Sequence, residues 1–294
     1  MKRKENKANA SIGHRSNLLE ICHRFTKNKA AMLGLIMLLI IITLSICADL
    51  IVPYEVAVTN VPADRLMAPC KEHILGTDQF GRDIMARILH GSRTTLSVAF
   101  LCSLLITLIS CVIGAAAAYY GGWFDDLVMR LMDIALCIPM LLLTLIIIVI
   151  MGGGIVSLFV GMTIVSIAPT VRLIRSVVLT VTEQDFIKAA RSYGAKDSRI
   201  IWKYILPNAL GPIIVDMTMG VSEIILAIAG FSYLGVGIQP PAPEWGAMLS
   251  DVKSYLRTQP YLLMFPGIAI LLTALAFNLM GDGLRDAIDP KMKD

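Results

Sequence analysis

Charge is what this chain of 294 residues has least of: Asp, Glu, Lys and Arg make up 16% of it, against 56% hydrophobic residues and a mean hydropathy of +0.72. That balance excludes one or two conventional soluble domains. No G-x-x-x-x-G-K-[ST] phosphate loop occurs, which excludes ATP binding by that route; the glycines Gly152 to Gly154 lack its lysine and hydroxyl and read as a turn. No Ser-His-Asp, H-E-x-x-H or paired-carboxylate constellation stands out, so a membrane protease or transferase is disfavoured. The 6 cysteines form no C-x-x-C pair and sit mostly in or beside apolar runs, as small buried hydrophobes do. The 4 histidines lack ligand spacing, and no metal or cofactor is expected in this chain. Basic residues flank apolar runs without interleaved aromatics, so nucleic acid is not an expected partner.

What is present is a series of apolar runs near the roughly 20 residues needed to cross a bilayer. Six spans are expected, at about 31–52, 94–119, 128–151, 154–174, 209–236 and 261–281. The chain is therefore an all-α integral membrane protein, with the lipid bilayer as its surroundings. Residues 1–30 form a basic tail, with Leu18, Leu19, Ile21, Cys22 and Phe25 at the spacing of an interfacial helix. The polar stretch before the first span is too long for a usual cleaved signal peptide, so an uncleaved anchor is expected. Pro139, Pro169 and Pro212 interrupt spans, which membrane helices tolerate when neighbours satisfy the freed backbone groups. Gly114 and Ala115 to Ala118 give the second span a small-residue face for close packing. With both termini in the cytoplasm, 19 of the 26 Lys and Arg fall on the cytoplasmic side, as the positive-inside rule requires.

The polar stretch 183–207, EQDFIKAARSYGAKDSRIIWKYILP, lies between two of these runs and on the cytoplasmic side. Phe186 to Tyr193 reads as a short helix around Ala189 and Ala190, ended by Gly194 in the left-handed conformation. Asp197 or Ser198 can cap a second helix carrying Ile200, Ile201, Tyr204 and Ile205 on one face, before Pro207 ends it. Small side chains there would let a partner approach the backbone closely. The plainer alternative is a topology signal with alanine as helix filler.

Within the outer loop 53–93, Ile84, Met85, Ile88 and Leu89 share a helical face opposed by Arg82, Asp83 and Arg87, which predicts a helix lying on the membrane surface. Thr77 and Asp78 before Gly81 suit a capped turn. In the last outer loop the prolines at 240, 241 and 243 forbid helix, and Trp245 and Tyr255 sit where interfacial aromatics belong. Arg130 and Asp133, one turn apart, are candidates to pair with each other. Asp216 and Glu223 lie two turns apart on the fifth span with no basic residue in it, so they face either a hydrated cavity or a partner helix. They are the candidate translocation-path residues.

The run Ala189, Ala190, Gly194, Tyr204, Ile205, Leu206, Pro207 resembles the E-A-A loop of ABC importer permeases, with Lys188 in the usual Glu position. The outer-loop set His73, Leu75, Gly76, Thr77, Asp78, Gly81, Arg82, Asp83, Arg87, Gly91 and Arg93 resembles the permeases of dipeptide, oligopeptide and nickel importers, as do 231–256 and 278–290. Ala86 and Thr95 replace the usual serines. The resemblance implies the type I importer permease fold, of the second, C-type subunit, with a core over 94–290. It also implies alternating access, and an ATPase-docking loop formed by Lys188, Ala189, Ala190, Gly194, Ala195, Tyr204 and Pro207. The implied partners are two ATPase subunits that hold ATP and magnesium, a second homologous permease and an extracytoplasmic substrate-binding protein. A self-contained secondary transporter or channel is the rival; it would need coupling charges within spans and inverted repeats.

Overall fold

The computed structural model describes residues 19–288, so the basic tail expected over 1–15 and the end of the last motif at Pro290 lie outside the described residues. The long helices are α1 (Lys29–Ile46), α2 (Ile84–Tyr120), α3 (Gly122–Cys137), α4 (Met140–Met151) and α5 (Ile155–Thr182). They are followed by α6 (Asp185–Ser192), α7 (Asp197–Tyr233), α8 (Trp245–Val252) and α9 (Tyr261–Ile288). Among the described residues, five helices are long and apolar enough to cross a membrane, or six if α3 and α4 count as one bent span. Among the described residues the β structure is one isolated bridge, Thr77 to Asp83.

The centre is α2, 37 residues long, with α5 and α7 against it. Its buried stripe is rich in small residues, among them Ala99, Cys102, Ser103, Thr107, Ser110, Gly114, Ala117 and Ala118. Small side chains let backbones approach, which in lipid replaces the hydrophobic drive available in water. At Gly114 the approach is so close that an added Cβ would stand 2.9 Å from the Val171 carbonyl oxygen of α5. Hydroxyls stitch the same contacts. Ser103 Oγ donates to the Met217 carbonyl of α7 at 2.8 Å, and Cys102 Sγ meets Thr163 Oγ1 of α5 at 3.2 Å. Further out, α9 packs on α7, with Ser222 Oγ donating to Asn278 Oδ1 at 2.9 Å, and α1 packs on α9 through Gly34. Outward faces stay apolar and exposed, as at Leu33, Leu39, Leu101 and Leu108, the pattern of a lipid-facing surface.

The expected third span, 128–151, is not one helix. Ile138 and Pro139 are both extended, and α3 meets α4 at 86°. Proline lacks the N–H and its ring forces the preceding residue out of the helical region. The prolines at 169, 212 and 266, by contrast, stay inside continuous helices. The expected Arg130–Asp133 pair is also replaced: Asp133 pairs with Arg172, and Asp125 with Arg175. These two ion pairs hold the charged helix α3 along α5.

The surface helix expected at 84–89 is instead the first turns of α2. Asp83 caps it, accepting from the Ala86 N–H at 2.8 Å. Its polar face is not solvated but buried and neutralised. Asp78 accepts from Arg82 Nε at 2.7 Å, Arg82 Nη2 reaches Asp251 at 2.9 Å, and Arg87 lies 3.6 Å from both acids. Two cations and two anions thus share one site, three of them buried and Asp251 partly so, the arrangement that makes buried charge tolerable. Arg93 closes the neighbouring end of α1, donating to the carbonyls of Ser45 at 2.6 Å and Ile46 at 2.7 Å.

At this same end, Glu244 is completely buried and caps α8, accepting from the N–H groups of Gly246 and Ala247, each at 2.8 Å. Trp245 beside it donates from Nε1 to the Ile88 carbonyl at 3.0 Å, joining α8 to α2.

Two outcomes are expected. Gly114→Leu should separate α2 from α5 and lower the thermal stability of the detergent-purified protein by about 1–3 kcal/mol, the usual penalty of overpacking; an unchanged melting midpoint would contradict the close contact. Burial holds the Glu244 carboxyl above the usual 4.5, so the folded protein binds that proton more tightly than the unfolded chain. Its contribution to stability is therefore complete below 4.5 and falls as pH rises through the raised value. Thermal unfolding measured from acid towards neutral pH should show this decline, and Glu244→Gln should flatten it.

Candidate functional site

The stretch 183–207 folds as a compact module on the ends of three long helices. Within α6 only Ile187 is fully buried. It joins Ile200, Ile205, Leu206, Ala209, Ile174, Val178, Ala115 and Ala118 in a core separate from the main one. The turn after α6 has Schellman geometry: the Gly194 N–H donates to the Arg191 carbonyl at 2.9 Å and the Ala195 N–H to the Ala190 carbonyl at 3.2 Å. Gly194 takes φ +71°, where only glycine is unstrained, and its Cα hydrogens face open space. The requirement at 194 is thus one of backbone shape alone. Ala190 and Ala195 lie half-buried on the small core, while Ala189 and Lys188 are exposed. Lys188 Nζ reaches back to Asp185 at 3.4 Å.

Neither expected cap forms. Lys196 occupies the position before the helix, and Asp197 Oδ1 instead accepts from the Tyr119 hydroxyl at 2.7 Å. The Arg191 guanidinium lies 4.6 Å from the centre of the same ring. The end of α2 therefore braces both helices of the module, a long-range contact with no local signal in the chain. Nor does Pro207 end the helix. Residues Ile201–Ile205 widen into a π turn, and α7 runs on through Pro207 to Tyr233. The wider turn accommodates a residue with no N–H to give, and Asn208 Nδ2 donates to the Tyr204 carbonyl at 2.6 Å. Tyr204 is half-buried and Pro207 exposed. Outward from the module project Phe186, Tyr193 and Trp202, the last two 92% and 57% exposed. These three aromatics leave apolar surface in the open around the module.

Nineteen residues along α7 from Asp197, Asp216 enters a cavity of about 400 Å³ between α2, α5 and α7, and Glu223 lines the same cavity. Ser103, Thr107, Ser166 and Thr170 line it with them. Asp216 also borders a second cavity of about 410 Å³, towards the module, which contains Arg285. Asp216 and Glu223 thus share one cavity wall within this chain.

Residues 106–294 match the family described as "Binding-protein-dependent transport system inner membrane component", and 16–69 match the "N-terminal TM domain of oligopeptide transport permease C". The chain is 43% identical over 274 residues to a dipeptide transport system permease protein, DppC, of Alkalihalophilus pseudofirmus, covering 93% of this chain and 90% of the relative. It is 40% identical over 275 residues to a glutathione transport system permease protein, GsiD, of Pectobacterium atrosepticum, covering 93% of this chain and 91% of the relative. A solved structure of the MetNI methionine ABC transporter in inward-facing conformations shares the fold at a TM-score of 0.59 and 20% identity, covering 70% of this chain and 98% of that one. The helices, their order and these matches place the chain among the binding-protein-dependent transport system inner membrane components, as a multi-pass permease subunit of an ABC importer.

Proposed function

We propose that this permease subunit carries short peptides across the cytoplasmic membrane by alternating access, driven through the 183–207 module. The relatives named for dipeptide and glutathione transport support that substrate class over nickel chelates, which the loop motifs alone leave equally open. The module faces the cytoplasm, in keeping with the excess of Lys and Arg on that side, and the 53–93 loop faces the substrate-binding protein. One of two ATPase subunits docks on the module, and a second, homologous permease completes the passage. ATP and magnesium belong to the ATPases, since this chain has no phosphate loop of its own. The helical residues 19–27 lie in the membrane interface ahead of the first span.

The observation that carries this reading is the construction of the module. It is rigid inside, through Ile187, the Gly194 turn and the Tyr119 brace, and apolar outside, through Phe186, Tyr193 and Trp202. A surface that must transmit force needs both properties. Lys188, where the resemblance expects an acid, pairs within α6 and offers the partner a positive charge. Because α7 leaves the module as one helix and reaches Asp216 and Glu223, movement of the module is movement of the cavity wall. That is a rigid-body route from ATPase closure to a change in access.

Gly194→Val tests it. A β-branched residue in the left-handed region costs about 1–2 kcal/mol and would open the turn, while no neighbour is struck and the spans are untouched. In the reconstituted importer, ATPase activity should persist while peptide uptake falls about tenfold or more. Uptake at the original rate per ATP hydrolysed would refute the module as the point where force enters.

A further inference from the structure

The cavity at Asp216 and Glu223 has a chemical bias that its size does not convey. Asp125 and Asp133 each have an arginine partner, whereas Asp216 and Glu223 have neither an ion pair nor a hydrogen bond among the described residues. No Lys, Arg or His lines their shared cavity. The hydroxyls around them reinforce the imbalance. Ser103 Oγ donates to the Met217 carbonyl at 2.8 Å and Thr170 Oγ1 to the Ser166 carbonyl at 3.0 Å, so two of the four hydroxyls in the lining have their hydrogens already engaged. The polar lining is thus weighted towards acceptors. Uncompensated carboxylates at membrane depth are expensive and persist where a counter-charge visits.

We infer that Asp216 and Glu223 form a cation-recognising subsite, taking the ammonium group of the substrate, α-amino terminus or lysine side chain, as it crosses the membrane. An ammonium brings three donors and no acceptor, the complement of this lining. The two acids are seven residues apart, about 10 Å along the helix, too far to grip one ammonium together. They act in succession, Glu223 and then Asp216, with Arg285 beyond in the second cavity. A group carrying the opposite charge meets acids in the first cavity and a base only in the second. This rests on the importer reading and adds a selectivity that belongs to the permease itself, not to the binding protein.

The test compares uptake of a lysine-containing and an aspartate-containing dipeptide by the complete reconstituted importer at saturating binding protein. The Asp216→Asn, Glu223→Gln double variant keeps shape and removes charge. The ratio of cationic to anionic uptake should fall about tenfold, equivalent to about 1.4 kcal/mol. Ser166→Lys, which supplies a cation from the same lining, should lower the ratio in the same direction and serves if the double variant assembles poorly. An unchanged ratio in whichever variant assembles, whatever the absolute rate, overturns the inference. Gly194→Val changes coupling for both dipeptides alike and leaves the ratio alone, so failure of the importer reading is distinguishable.

Discussion

The contact on which the molecule rests is the approach of α2 to α5 at Gly114. In lipid, apolar side chains gain little by turning inward, so helices are held by dispersion and by hydrogen bonds between close backbones. A carbonyl oxygen of α5 stands only 2.9 Å from where a Cβ of residue 114 would be, and the alanines at 115, 117 and 118 extend that intimacy. Ala115 and Ala118 also form part of the small core under the 183–207 module. Tightness between the two helices and support for the module are therefore one feature.

The two ends of the bundle solve different problems. At the end bearing α8, four charges are neutralised in a largely buried cluster of Asp78, Arg82, Arg87 and Asp251, and Glu244 is buried against backbone donors. Breaking one member of such a cluster strands the others, so this end is stiff. The other end keeps its aromatic residues in the open and its interior small, which suits repeated engagement without rearrangement of the core.

Much of this was legible in the chain because it is local. Runs of apolar residues mark spans, and glycine after a short amphipathic helix marks a left-handed turn wherever it occurs; Gly194 needed no tertiary information. The break at Pro139 was not legible, since the chain offers the same residue at 169 and 212 with the opposite result. Charge partners were equally hidden. Asp133 has Arg130 one turn away, yet its partner is Arg172 on another helix. The amphipathic pattern at 82–89 was real, but pattern alone does not say whether the polar face meets water or Asp251. The continuation of α7 past Pro207 depends on a π turn and the Asn208 side chain, neither of which follows from helix propensities.

That unbroken course of α7 has a geometric corollary. Asp216 and Glu223 stand two turns apart on nearly one azimuth, so rolling the rod about its long axis sweeps both across the cavity together. One residue's worth of roll is about 100°, which would turn both acids away at once. The electrostatic character of this cavity wall is therefore set by a single angular coordinate, and intermediate settings with one acid presented and the other withdrawn are geometrically disallowed unless the rod itself unwinds.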